Sequence, residues 1–370
     1  MKKFLALLMA LVMVMALAAC GSTPAADTTE DAAAEEAAAP AEEEAAPAEE
    51  EAAPAEEAAP AADGEVMANT DYTSVDLTGY HFGYVTINSS APWGGRVGTE
   101  FERMAEEVGA TVDVLDANTD ADLVTQYCQQ FVDEGVDALV VFGGDPAAMS
   151  EMAEICYDND IPLFLCALDA DSATDGYEYV TAMIGPDQKQ MCADIAAYVV
   201  EQNGEDYECN VYEVNGVPFL QDYIDRNAGF EGYMADYSGY NMAGKEDCYS
   251  DRTAAKSSTE NWITAGLKAG DIIMGYDDDL TMGAVQALDE AGLTGQVKVY
   301  SLTGQADAIQ AVIDGQLELT VMNRADNIAA GTVTAIAEYL ETGSTARFQR
   351  CELTYITADN AADYLADAEF

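Results

Sequence analysis

The chain contains very few basic residues. Its 370 residues include 14 Lys and Arg against 69 Asp and Glu, which gives a formal net charge of −55 at pH 7. No Lys or Arg lies between Lys3 and Arg96. Because a protein of this charge repels phosphate backbones and anionic membrane surfaces, we expect no nucleic-acid partner.

Residues that carry catalysis are also scarce. The single histidine, His81, falls inside a predicted strand, and the sequence has no G-x-S-x-G elbow, H-E-x-x-H pair or G-x-x-x-x-G-K-[ST] loop. Two of the many acids could serve glycoside hydrolysis, but chance proximity is expected where acids are this frequent. The sequence therefore predicts no catalytic residue, no cofactor and no metal site.

Neither a disulfide framework nor a metal signature is visible among the cysteines that follow residue 100, which are odd in number and widely spaced. Cys128, Cys156 and Cys192 fall on the apolar faces of predicted helices, which indicates buried free thiols. A bridge between Cys209 and Cys248 stays open from the sequence alone.

The N-terminus has the pattern of an export signal. Lys2 and Lys3 precede an apolar run over residues 4–16 that is too short for a membrane span, and Leu-Ala-Ala then leads to Cys20. This ending resembles the bacterial lipobox. The resemblance implies a signal peptide over residues 1–19, lipidation of Cys20, and an extracytoplasmic protein anchored to the outer face of the cell membrane.

Residues 20–71 are dominated by Ala, Glu and Pro. Four prolines that punctuate AEEEAAP-like units interrupt helix formation, and the like-charged glutamates repel one another. The four are Pro40, Pro47, Pro54 and Pro60. The segment is therefore predicted to be a disordered tether between the anchor and the folded part.

From Tyr80 onward, apolar strand patterns and amphipathic helix patterns alternate, which is typical of a parallel α/β sheet built from βαβ units. The elements exceed what one sheet holds, so the sequence predicts two doubly wound parallel-sheet lobes. One helix is predicted over residues 258–267, because Ser257 and Glu260 have the spacing of a capping box.

Residues 271–293 combine a buried strand, three acids and an amphipathic helix. Asp277, Asp278 and Asp279 follow the strand at its carboxyl end, where open α/β sheets bind ligands. Helix capping needs one Asp at most. We expect Asp277 to reach a ligand, and Asp278 and Asp279 to turn and cap the helix.

Polar and aromatic residues also follow other predicted strands, and Arg226 lies on a facing helix. The candidate ligand-binding residues are Trp93, Asp145, Asp169, Arg226, Tyr249, Asp277, Thr303 and Asn323. An indole face packs on the C–H face of a sugar ring, and carboxylates and a guanidinium bind vicinal hydroxyls. For Arg226 a surface salt bridge is the alternative.

Several stretches between Tyr80 and Ile356 together resemble the type I periplasmic binding proteins, in the ribose- and galactose-binding branch that serves ABC sugar importers. They are SSAPWGG, GVDALVVFGGDPAAM, DNDIPLFLCALD, RNAGF, YDDDLTMGAVQALDEAG and GQLELTVMNRADNIAAGTV. In that family, residues at the positions of Trp93, Arg226, Asp277 and Asn323 contact the ligand.

The sequence departs from the family pattern at three places. Ala167-Leu168-Asp169 stands where ribose-type proteins have an Asp-Arg pair, Thr303-Gly304 replaces Asp-Gly, and Asp277 replaces an Asn. The ligand can therefore differ from ribose while the fold is kept.

The resemblance also implies three chain crossings, near Gly185, Asn323 and Glu352, that form a hinge. The predicted first lobe comprises residues 72–186 and 324–352, and the second lobe residues 187–323 and 353–370. The expected function is capture of a monosaccharide or polyol by a monomer that delivers it to an ABC permease.

Three alternatives stay open from the sequence. One is a signal or nucleoside receptor of the same fold. Another is an extracellular carbohydrate hydrolase that uses two of the acids, including Asp277, and the last is a structural surface protein without a hinge.

Overall fold

Strands and helices alternate along almost the whole folded chain. The computed structural model describes residues 62–144, 146–170 and 174–368. The strands are β1 Ala62–Met67, β2 His81–Thr86, β3 Thr111–Asp116, β4 Ala138–Phe142, β5 Leu163–Cys166, β6 Ala182–Gly185, β7 Cys209–Asn215, β8 Tyr240–Asp247, β9 Ile272–Gly275, β10 Lys298–Tyr300, β11 Leu319–Asn323, β12 Ala346–Arg350 and β13 Leu353–Thr357.

Helices fill most of the connections between these strands. They are α1 Pro92–Glu107, α2 Ala121–Glu134, α3 Pro146–Asp158, α4 Gln188–Asn203, α5 Gln221–Met234, α6 Arg252–Ala265, α7 Asp278–Glu290, α8 Ala306–Ile313, α9 Ala325–Thr342 and α10 Ala361–Tyr364. Among the described residues, no helix has both the length and the apolar character that crossing a membrane requires.

The strands form two separate sheets, each the centre of one lobe. The first lobe has a seven-stranded, fully parallel sheet in the order β1-β12-β6-β5-β4-β2-β3. The second lobe has a six-stranded sheet in the order β13-β11-β10-β9-β7-β8, in which only β13 runs antiparallel. The predicted fold class, two doubly wound lobes, is confirmed.

The chain passes between the two sheets three times, after β6, after β11, and between β12 and β13. Helix α9, for example, leaves the second-lobe strand β11 and packs on α1 of the first lobe. Three neighbouring connections of this kind are the geometry of a hinge.

Continuous apolar runs explain the central strands. Strands β4, β5, β6, β9 and β11 are buried along their whole length. A parallel strand covered by helices on both faces needs this composition. The carboxyl ends of these strands point to the space between the lobes and position the loops described below.

The prediction of a tether up to residue 71 is wrong over β1. Ala62–Met67 pairs in parallel with β12, and Glu65 lies 3.2 Å from Arg350 in an ion pair. Asp63, Gly64 and Glu65 have little strand propensity of their own, so this strand depends on tertiary pairing with the edge of the sheet.

The predicted start of helix α6 is also wrong. The helix begins at Arg252, because the Asp251 side chain accepts hydrogen bonds from the N–H groups of Thr253 and Ala254. Ser257 and Glu260 therefore lie within the helix and form no capping box there.

The cysteines of the described residues are free thiols, and six of the seven are buried. Cys209 begins β7, whereas Cys248 follows the far end of β8, so the two do not form a bridge. Burial raises the pKa of Cys128, Cys156 and Cys192, which keeps these thiols protonated and unreactive.

Candidate functional site

A cavity of ≈ 60 Å³ lies between the lobes, at the carboxyl ends of strands from both sheets. The first lobe lines it with Ile87, Asn88, Ala91, Trp93, Gly94, Thr119 and Phe142. The second lobe lines it with Val217, Leu220, Asp222, Tyr223, Arg226, Tyr249, Ser250 and Asp277. A ligand held here would touch both lobes at once.

Trp93 is the large aromatic residue of the first-lobe side. It lies in the first turn of α1 and is only 5% exposed. The indole Nε1 donates a 2.8 Å hydrogen bond to the backbone oxygen of Asn323, and the ring lies 5.6 Å from Phe142, centroid to centroid. Gly94 permits this packing, because a Cβ there would lie 2.6 Å from the Phe142 ring.

Arg226 is the central charged residue of the second-lobe side. It is 1% exposed. Its Nε donates to Gln188 Oε1 at 2.9 Å, and its Nη1 donates to the backbone oxygen of Tyr276 at 3.0 Å. Its Nη2 lies 3.4 Å from Asp222 Oδ2 and has no hydrogen-bond partner among the residues described. One donor of a rigidly held guanidinium is thus left for a ligand.

Two carboxylates lie near this guanidinium in the cavity wall. Burial raises the pKa of Asp277 to about 6, against the opposing charge of Arg226. Burial likewise raises the pKa of Asp222, again opposed by Arg226. Both groups stay ionised at neutral pH only at a desolvation cost that a ligand could relieve.

The capping role predicted for Asp278 and Asp279 belongs to Asp277. Asp277 is the N-cap of α7, and its Oδ1 accepts a 2.7 Å hydrogen bond from the Asp279 N–H. Asp279 lies in the first turn, where its Oδ1 accepts from Arg252 Nε at 2.9 Å. A single carboxylate therefore both caps the helix and faces the cavity.

Asp278 is entirely buried, with 0% exposure. Its Oδ2 accepts hydrogen bonds from the N–H groups of Gly304 at 2.7 Å and Gln305 at 2.8 Å, and its Oδ1 accepts from Thr320 Oγ1 at 2.9 Å. Burial raises its pKa to about 7. Asp278 therefore ties the start of α7 to the loop after β10 and does not face the ligand space.

The structure brings four of the predicted site residues together around the cavity. They are Trp93, Arg226, Tyr249 and Asp277. Asn323 lies beside them: its backbone oxygen binds Trp93, and both polar atoms of its buried side chain lack a partner within the described ranges. Contact of each with a ligand stays a prediction.

The remaining predicted residues lie elsewhere or outside the described part. Thr303 is buried, and its Oγ1 accepts from the Asp278 N–H at 3.4 Å. Asp169 binds Arg350 through both oxygens, at 2.8 and 2.7 Å. Neither is among the residues that line the cavity. Asp145 and Cys20 lie outside the described residues.

Sequence reasoning missed Asp222, Tyr223 and Gln188. The first two line the cavity, and Gln188 holds Arg226. Asp222 could have been found, since it precedes Arg226 by four residues on one helix and therefore shares its face. Gln188 lies 38 residues from Arg226 in sequence, so only the fold brings the two together.

No group of three or more His, Cys, Asp or Glu side chains within the described ranges is arranged to hold a metal ion.

Residues 82–345 match the family model of the periplasmic binding protein domain. The chain is 25% identical over 268 residues to the galactofuranose-binding protein of Escherichia coli, covering 71% of this chain and 82% of that protein. It is 24% identical over 277 residues to the xylitol-binding protein of Mycolicibacterium smegmatis, covering 74% of each.

Solved structures share the same fold. The crystal structure of a galactofuranose-binding protein superposes with a TM-score of 0.71 at 22% identity, covering 78% of this chain and 98% of that one. The Caulobacter myo-inositol-binding protein bound to myo-inositol gives a TM-score of 0.70 at 20% identity, covering 80% and 97%.

Proposed function

Since the chain belongs to the periplasmic binding protein domain family, we propose that it captures a sugar or polyol between its lobes and delivers it to an ABC permease. Relatives named for galactofuranose and xylitol binding support a hydroxylated ligand. A ligand of this kind, bound at the cavity, would be enclosed when the lobes rotate about the three crossings.

The observation that carries this proposal is spare hydrogen-bonding capacity beside an aromatic face. Arg226 Nη2 and both side-chain polar atoms of Asn323 are buried, and the described residues give them no hydrogen-bond partner. Buried polar atoms without partners are costly, and the hydroxyls of a sugar both donate and accept. The indole of Trp93 supplies a surface for a C–H ring face.

Direct contacts between the lobes support capture by closure. The Gln221 N–H at the start of α5 donates to the Gly144 oxygen of the first lobe at 3.1 Å, beside the cavity. Gln188 Nε2 donates to the Ala167 oxygen at 3.4 Å. These two hydrogen bonds can break and form during hinge motion, because each contributes only about 1 kcal/mol of net free energy.

Membrane attachment and delivery are further parts of the proposal. The resemblance of the residues before Cys20 to a lipobox, with the Ala/Glu/Pro segment after it, supports a lipid-anchored monomer on the outer face of the cell membrane. Replacing Cys20 with Ala should shift the protein from the membrane fraction to the soluble fraction of an expressing bacterium. Retention of Cys20→Ala in the membrane would contradict a lipid anchor at this residue.

The binding proposal is tested by the mass of whatever ligand co-purifies, followed by calorimetry against sugars, polyols and nucleosides. We expect saturable binding of at least one sugar or polyol, with a change in Trp93 fluorescence. Binding of nucleosides alone would favour a receptor of a different specificity, and no binding in any class would contradict the proposal.

The hydrolase alternative is separated from binding by turnover. A binding protein should release its ligand unchanged after prolonged incubation. Cleavage of a glycoside that is lost in Asp277→Asn would instead favour the enzyme.

A further inference from the structure

The charges around the cavity do not balance. Three of the residues that line it carry charged side chains, namely Asp222, Asp277 and Arg226. With both carboxylates ionised, the lining has one more negative than positive charge. Any ligand bound here, including the sugar or polyol proposed above, must be accommodated beside this excess.

The guanidinium of Arg226 is committed largely to neutral acceptors. Its Nε and Nη1 bind Gln188 and the backbone oxygen of Tyr276, and its Nη2 lies 3.4 Å from Asp222. The ion pairs found within the described part include none to Asp277. Asp277 thus makes no ion pair there, and the charge of Arg226 offsets only part of the cost of removing its carboxylate from water.

Aromatic rings surround the same space. Trp93, Phe142, Tyr223 and Tyr249 all line the cavity. The face of an aromatic ring attracts an ammonium group, with the largest effect for Trp and where water is excluded. The Arg226 guanidinium already lies 5.0 Å from the centroid of the Tyr223 ring and 6.0 Å from that of Trp93. Two carboxylates therefore share one cation in a space whose aromatic rings accommodate positive charge.

We infer that the ligand is a sugar or cyclic polyol that carries an amino group, whose ammonium binds between Asp222 and Asp277. The inference rests on the proposed function and specifies its ligand class. The ammonium supplies the missing positive charge and donates to both carboxylates. The ring hydroxyls are left to bind Arg226 Nη2 and the side chain of Asn323.

Burial supports this assignment of the charge. It raises the pKa of both Asp222 and Asp277, because removal from water disfavours a carboxylate's ionised form more than Arg226 favours it. A bound ammonium removes that penalty by restoring a charge partner.

The test is calorimetry at pH 7.5 with matched amino and neutral compounds. The pairs are D-glucosamine with D-glucose, D-galactosamine with D-galactose, and an amino-deoxy-inositol with myo-inositol, and the N-acetyl sugars serve as uncharged amide controls. One pair will bind most tightly. In that pair we expect the affinity of the amino compound to exceed the affinity of its neutral partner by about tenfold or more, which equals about 1.4 kcal/mol.

Two variants on helix α5 locate the effect. Asp222→Asn should reduce the ratio of amino-compound affinity to neutral-compound affinity to within about twofold. Asp225 follows three residues later, accepts from Gln221 Nε2 at 2.9 Å and does not line the cavity. Asp225→Asn is therefore the matched control and should leave the preference unchanged; thermal melts confirm that both variants fold.

The outcomes separate the two proposals. Binding of neutral sugars or polyols at least as tightly as their amino analogues would overturn the amino-group inference and leave the binding function in place. Failure of every compound, amino or neutral, would overturn the binding function and the inference with it. An amino preference that survives Asp222→Asn would overturn the assigned position of the ammonium.

Discussion

The two walls of the cavity differ in chemistry. The first-lobe wall, formed by Ile87, Asn88, Ala91, Trp93, Gly94, Thr119 and Phe142, contains no charged residue. The second-lobe wall, formed by Val217, Leu220, Asp222, Tyr223, Arg226, Tyr249, Ser250 and Asp277, contains three. We infer that the second-lobe wall selects the ligand by charge and hydrogen bonding, whereas the first-lobe wall closes over it and supplies shape.

Changes to the second-lobe wall should therefore have the largest effects. Arg226→Ala leaves Gln188 Oε1, the Tyr276 oxygen and Asp222 without their buried partner. Breaking a buried charged network of this kind costs about 3–5 kcal/mol in unfolding free energy. We expect urea denaturation to show this loss and calorimetry to show ligand affinity reduced more than about 100-fold.

Arg226→Lys is the control that keeps the positive charge but removes the hydrogen-bonding geometry of the guanidinium. A lysine keeps the positive charge but cannot donate in three fixed directions. It should recover part of the stability and little of the affinity. An affinity of Arg226→Ala within about tenfold of that of the unaltered protein would contradict the inference that the second-lobe wall selects the ligand.

Asp277 and Asp278 are adjacent in the second lobe, but only Asp277 lines the cavity, so variants of the two separate ligand binding from stability. Asp278→Ala removes the acceptor of the Gly304 and Gln305 N–H groups and of Thr320 Oγ1, so we expect a loss of about 3 kcal/mol in unfolding free energy. Its direct effect on the ligand should be small. Asp277→Ala removes a helix cap, which costs about 1 kcal/mol of unfolding free energy. Unlike Asp278→Ala, it also changes a residue that lines the cavity.

The stability and the ligand affinity of Asp277→Ala and Asp278→Ala are measured by denaturation and calorimetry on the same samples. Asp277→Ala should weaken binding about tenfold or more with little loss of stability, and Asp278→Ala should do the reverse. Equal losses of affinity in the two variants would show that both acids act through the fold alone.

The pattern of the sequence determined much of this architecture but not the roles of the three acids. Apolar runs such as Ile272–Gly275, followed by an amphipathic helix, fix a βαβ order and place Asp277 at a strand end. The same pattern cannot show that Asp278 turns inward, because its partners Gly304 and Thr320 are 26 and 42 residues away in sequence. Long-range polar contacts leave no periodic signal.

Strand β1 was missed for a related reason. Asp63, Gly64 and Glu65 have little strand propensity, and Glu65, Val66 and Met67 are all exposed, so no alternation of buried and exposed residues marks the strand. Pairing with β12 alone defines the strand. Asp222, in contrast, was within reach of sequence reasoning through its helical spacing from Arg226.

Mildly acidic pH should stabilise the protein, mainly through the second lobe. Burial raises the pKa of Asp278 and of Glu213 to about 7, and that of Asp277 to about 6. The folded state thus binds protons more tightly than the unfolded state. This stability is fully present below the unfolded pKa of about 4 and is lost as pH rises through about 6–7.

Calorimetric melting from pH 5 to pH 8 at constant ionic strength measures this dependence. We expect the melting temperature to fall as pH rises, and Asp278→Asn, which cannot ionise, to give a shallower fall than the unaltered protein. A melting temperature that rises over this range would contradict the direction of the raised pKa values.

The smallest of these effects is expected on the first-lobe wall. Trp93→Phe keeps an aromatic face against the ligand but removes the 2.8 Å hydrogen bond from Nε1 to the Asn323 oxygen. One such bond contributes about 1 kcal/mol, so we expect calorimetry to show affinity reduced only about fivefold. Trp262→Phe, within α6 and packed on Tyr212, is the control that assigns the fluorescence change to Trp93. Should Trp93→Phe abolish binding as completely as Arg226→Ala, the first-lobe wall would have to hold the ligand as firmly as the charged wall does, and the division of roles between them would be lost.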